Sequence, residues 1–163
     1  MGSIMPLRLM VVLTCAALLV VAFGMHLAST EYPKTQTKLS TTTVTIGSVV
    51  VFVEVASTDI ARKQGLSGRN VLEDGRGMLF VFDTEGEWGI WMKDMHFPID
   101  IIWASQDGTV VTVAKDVSPD TYPQAFYPSA PALYVLEVSA GFVASHYIAK
   151  GSRLSIENAN APR

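Results

Sequence analysis

From residue 42 onward, apolar residues come in short runs bounded by turn signals, at about ten-residue spacing. Thr42–Gly47 (TTVTIG) and Ser48–Val55 (SVVVFVEV) are β-branched runs meeting at Ile46-Gly47-Ser48, which predicts a hairpin. In the second run Val51, Val53 and Val55 alternate with Val50, Phe52 and Glu54. One face is apolar and the other nearly so, which predicts a strand covered on both sides. Thr58–Gln64 predicts a short helix: Ser57 or Thr58 caps it, Asp59 suits its first turn and Gly65 stops it. Strands are predicted at Met78–Phe82, Glu87–Met92, Ile99–Ala104, Thr109–Ala114, Leu133–Val138 and Arg153–Glu157. Asp107-Gly108 marks a turn between the third and fourth of these. Pro119, Pro123, Pro128 and Pro131 forbid ladder pairing, so residues 115–131 read as a long ordered loop, and Gly141–Lys150 holds a second short helix. This rhythm predicts a mainly-β antiparallel sandwich or barrel over residues 42–158 with one or two short helices, followed by a tail over 159–163.

Upstream the pattern changes. Residues 9–25 (LMVVLTCAALLVVAFGM) form one apolar run behind Arg8, which predicts an N-terminal apolar helix. Residues 1–28 read either as a signal peptide or as a membrane anchor through 9–25, with Ala22-Phe23-Gly24 offering cleavage spacing. Both place the following domain outside the cytoplasm, in the periplasm or beyond, behind a polar linker over residues 29–41. Cys15, the single cysteine, lies inside the apolar run, so the exported part has no disulfide and no thiolate site. Residues 29–163 carry 11 basic and 15 acidic side chains, and an acidic domain without a basic run is a poor partner for nucleic acid.

The densest segment is Gly75–Ala104, which holds Trp88, Trp91 and Trp103 around a polar cluster of Lys93, Asp94, His96 and Asp100. The cluster is expected at the tip where the chain reverses between two tryptophan-bearing strands. Within and around this segment, Gly65-Leu66-(x2)-Arg69, Gly77-Met78-Leu79-Phe80-Val81-Phe82, Trp91-Met92-Lys93-(x4)-Pro98-Ile99-Asp100 and Tyr134-Val135-Leu136-Glu137-(x2)-Ala140-Gly141 occur in order. In these motifs the chain resembles the domain of unknown function 192 family (DUF192), small and often exported bacterial or archaeal domains. The resemblance implies a jelly-roll-like sandwich and no established activity. After Trp-Met-Lys the family more often shows Asn-Thr, where this chain has Asp94-Met95.

Three chemistries compete for these residues. Asp94 or Asp100 with Glu137 would give a carboxylate-dependent hydrolase, if two acids share an apolar setting that separates their pKa values. The structural alternative pairs Asp100 and Glu137 with Arg69 or Arg76. Met92, Met95 and His96 supply thioether and imidazole ligands of the kind copper takes, unless the methionines simply fill core gaps. The third reading is a non-catalytic binding surface of Arg69, Trp91, Lys93, Asp94, His96 and Asp100, rimmed by the proline loop. It would take a carbohydrate, another small molecule or a cell-envelope protein. No Gly-x-Ser-x-Gly elbow and no phosphate-cradling glycine loop is present, and no cofactor is expected.

Overall fold

The computed structural model describes residues 38–157. The predicted signal peptide or anchor, most of the linker and the C-terminal tail lie outside the described residues. In chain order the elements are β1 (Ser40–Ile46), β2 (Val49–Ala56), α1 (Asp59–Gln64), β3 (Arg76–Gly86), β4 (Ile90–Trp91), β5 (Ile99–Ala104), β6 (Val110–Val117), β7 (Ala125–Phe126), β8 (Ala132–Ser139), α2 (Phe142–Ser145) and β9 (Leu154–Glu157). Seven strands form one sheet in the order β6-β5-β8-β3-β2-β1-β9, and β4 pairs separately with β7. The sheet curls until its edges approach: Thr109 bridges Arg153, the Val110 N–H donates to Ser152 O at 2.9 Å and the Leu154 N–H to Gly108 O at 2.8 Å. Asp107 braces that corner, accepting from the Ser105 hydroxyl (2.6 Å), the Thr109 N–H (3.0 Å) and Arg153 (3.0 Å).

The result is a mainly-β half-barrel with two short helices. It differs from a two-sheet antiparallel sandwich in having one curled sheet and one parallel pair, β2 with β3. Parallel neighbours need a crossover long enough to carry the chain back to the same end, and residues 57–75 with α1 provide it. That crossover lays a helix on one face of the sheet.

Strand alternation divides the core in two. One cluster takes residues from both edge regions of the sheet, including Val44, Ile46, Val51, Leu79, Ile102, Leu136, Val110 and Leu154, so it fills the concave side. Val143 of α2 and Ile148 close it. The other cluster, on the convex side, joins Met78, Phe80, Ile101, Trp103 and Val135 of the sheet to Leu66, Ile90, Met92 and Met95. Each fully buried aliphatic or aromatic side chain contributes about 1.5–3 kcal/mol of transfer free energy.

Four expectations change. The strand predicted to end at Phe82 runs on through Asp83-Thr84-Glu85 to Gly86, past an irregularity between Val81 and Gly86. Only Ile90–Trp91 of the expected Glu87–Met92 strand pairs, and it pairs with β7 inside the proline loop rather than with β5. The Lys93–Asp100 segment is therefore not the tip of a hairpin between two tryptophan strands. Val50 and Phe52 of β2 are 48% and 61% exposed, so that strand is covered on one face only, among the described residues.

Candidate functional site

A cleft of about 350 Å³ lies between α1 and the convex face of the sheet. α1 forms because the Thr58 hydroxyl accepts from the Ala61 N–H (3.2 Å), Asp59 complements the first turn and Gly65 ends it. Leu66 then plunges into the core. The Ser67 hydroxyl donates to Lys93 O (2.7 Å) and the Gly68 N–H to Asp94 O (2.8 Å), tying the crossover to the 92–95 turn.

One wall of the cleft is a rigid stack. Phe82 and Trp88 lie parallel, centroids 4.2 Å apart at 4°, with the Arg62 guanidinium 5.2 Å from the Phe82 ring centre. Arg62 is fixed by donating to Ser57 O (2.7 Å), Val81 O (2.8 Å) and the Asp59 carboxylate (2.6 Å). Buried Trp103 donates its indole N–H to Trp88 O at 2.8 Å, holding the backbone behind the stack. A Cβ at Gly89 would stand 2.5 Å from the Tyr127 ring, so glycine here lets that ring of the proline loop lie directly against this wall. At the rim Trp91 is 53% exposed and meets Tyr122 edge-on, centroids 6.2 Å apart.

Glu137 reaches the cleft from β8. It is 5% exposed and flanked in register by Met78 of β3 and Ile101 of β5. The nearby cation, Arg69, is already engaged by both oxygens of Glu54, at 2.6 and 2.8 Å. Burial pushes the Glu137 carboxyl up to about 8, against the opposing pull of the Arg69 charge. Hydrogen bonding to Arg69 holds Glu54 below its ordinary value.

The other sequence-derived candidates scatter. Asp100 faces the concave side, where one carboxylate oxygen accepts from the Asp116 N–H (2.7 Å) and the other from the Val143 N–H (2.8 Å). Among the described residues neither Asp100 nor Glu137 pairs with an arginine: Arg69 holds Glu54 and Arg76 holds Glu73. Asp94 is exposed with φ 54°, at the third position of a turn closed by the Met95 N–H on Met92 O (3.3 Å). A left-handed backbone, rather than a carboxylate, is what that position requires, and asparagine meets it as well. Lys93 and His96 are exposed. Met92 and Met95 are buried in the convex core while His96 points outward, so the three do not form one ligand set. Among the described residues no group of three or more His, Cys, Asp or Glu side chains converges.

Of the six residues of the proposed surface Trp91 alone lines the cleft, and Arg69, Lys93, Asp94, His96 and Asp100 do not; Glu137 and Met95, candidates under the hydrolase and copper readings, do line it. Arg62, Phe80 and Phe82 are additional lining residues. The Phe80-x-Phe82 spacing marks two aromatics on one strand face, a legible sign. Nothing local marks Arg62, whose place depends on the crossover.

A half-barrel with a helix-roofed, aromatic-walled cleft is the class of domain these observations define. Residues 42–156 match the family model DUF192, described as "Uncharacterized ACR, COG1430", and the chain belongs to this family. Its fold is similar to that of a crystal structure from Sinorhizobium meliloti 1021 described as "a putative transcription regulator", with TM-score 0.70 and 27% identity over 74% of this chain and 97% of that one. It is also similar to a protein of unknown function from Novosphingobium aromaticivorans DSM 12444, with TM-score 0.70 and 26% identity over 78% of this chain and 94% of that one. The comparison with curated proteins finds no match.

Proposed function

We propose that this domain is a non-catalytic binding module, exported and held at the outer face of the cytoplasmic membrane, whose cleft takes a saccharide of the cell envelope. The observation that carries the reading is Glu137: a carboxyl group only 5% exposed, in no ion pair with a described side chain, that opens onto an aromatic-walled cleft. A ligand with both an apolar face and hydroxyl groups suits such a cleft, stacking on Trp91 and bonding to Glu137. Export is supported by the apolar run 9–25 behind Arg8.

Hydrolysis of a glycosidic bond needs two carboxyl groups about 5–10 Å apart across an open site. Asp100 lies on the other side of the sheet from Glu137, and Asp94 does not line the cleft. Asp59 and Asp83 stand at the mouth with side chains 81% and 91% exposed, where their carboxyls stay solvated. Binding therefore fits better than catalysis. The description of the Sinorhizobium structure raises DNA as a ligand, but 11 basic against 15 acidic side chains over residues 29–163 oppose it.

Titrating the full chain with chitotetraose and cellotetraose while following tryptophan fluorescence tests the reading. We expect saturable quenching, and Trp91→Ala should weaken binding by about tenfold without lowering thermal stability. Absence of binding up to about 10 mM for both sugars overturns it.

A further inference from the structure

The convex face carries two acids on one row of the sheet, and only one is neutralised. Glu54 on β2 and Glu137 on β8 flank Met78 in register. Both sit close enough to Arg69 to feel its charge, but its guanidinium fork is taken by the two oxygens of Glu54. The remaining charged groups around the cleft are otherwise committed or solvated. Arg62 of α1 is bound to Asp59 and to two backbone carbonyls, while Lys63 of α1 and Asp83 of β3 are exposed. Beside Glu137 in register stand Met78 and Ile101, members of the convex core that also holds Phe80 and Trp103. A carboxylate unpaired in such surroundings is costly, whereas a carboxylic acid offers one O–H donor and an acceptor oxygen at much lower desolvation cost.

We propose that Glu137 is the specificity-determining residue of the cleft and works as an uncharged acid, donating one hydrogen bond to a ligand hydroxyl and accepting another from it. The proposal rests on the saccharide reading above. It adds that neutral polyhydroxylated ligands are selected over amines, which would call for the ionised form. Reciprocity also follows: a ligand that needs the proton holds it in place, so binding and protonation strengthen each other.

The test uses the full chain with ¹³C-labelled glutamate carboxyls, the Glu137 resonance being assigned by its absence in Glu137→Gln. That resonance should titrate near 8, well above the bulk carboxylates, and move higher still with chitotetraose bound. Calorimetry should give a constant chitotetraose affinity at acid and neutral pH, falling by about tenfold per pH unit once Glu137 ionises. Glu137→Gln, which keeps a donor and an acceptor, should retain the neutral-pH affinity within about threefold and abolish the alkaline fall. Chitotetraose binding with Glu137 already ionised at neutral pH, or affinity rising as it ionises, overturns this proposal alone. A folded Glu137→Gln that no longer binds at neutral pH does the same. No binding of chitotetraose or of cellotetraose at any pH overturns both this proposal and the reading beneath it.

Discussion

Asp100 and Glu137 sit next to each other across the β5–β8 ladder, where Asp100 opposes Val138 and Ile101 opposes Glu137. A shift of one residue sends them to opposite faces, and their circumstances diverge completely. Asp100, on the concave side, fastens β6 and the start of α2 by accepting two backbone N–H groups. Glu137, on the convex side, reaches a cleft and is not matched by any described side chain. Both are buried, so burial alone does not distinguish a structural carboxyl from one available to a ligand. Tracing where each oxygen's hydrogen bonds go does distinguish them.

Removing Asp100 should have the larger effect. Asp100→Ala leaves the buried Val143 N–H and the part-buried Asp116 N–H unpaired beside a cavity and is expected to cost about 3–5 kcal/mol in urea unfolding. A loss under about 1 kcal/mol would mean water takes over its bonds, and the contrast between the two acids would fail.

Glu137 should behave in the opposite way. Its folded value is raised to about 8 from 4.5, so the native state holds a proton that the unfolded chain releases. The wild type should therefore lose stability as pH rises from about 4.5 to about 8, then level off. Glu137→Gln removes that slope and should be more stable than wild type at pH 8 by roughly 2–4 kcal/mol, read from denaturant midpoints across pH. Parallel wild-type and variant profiles would refute the assignment.

The smallest effect concerns the polar turn. Asp94→Ala should cost about 1 kcal/mol, because alanine resists the left-handed backbone, and Asp94→Gly should recover it. Chitotetraose affinity should be the same in both. A change in affinity would return Asp94 to the site and blur the distinction between cleft and turn.

How much of this is readable along the chain depends on range. The period-two pattern of Ile99–Ala104 and Leu133–Val138 already sets Asp100 apart from Ile101, and Glu137 from Leu136, by face. The cap, the acidic first turn and Gly65 mark α1 almost to the residue. Pro119, Pro123, Pro128 and Pro131 conceal β7, because the two residues that pair with Ile90–Trp91 are too few to leave a periodic trace. Asp83-Thr84-Glu85 resembles a turn because exposed polar residues suit the end of a strand as well as they suit a loop.

By itself the sequence determined a mainly-β domain in the DUF192 family, a core without a disulfide in the region after Cys15, and two apolar-embedded acids in strands, since alternation and composition are local properties. Which acid is satisfied, that Arg69 pairs with Glu54, and that α1 roofs a cleft against Trp88 and Trp91 were decided only by tertiary structure. Those facts depend on how β2 crosses over to β3 and on how the sheet curls, which bring together groups far apart in the chain. No local pattern encodes a hydrogen-bond partner that arrives from another strand.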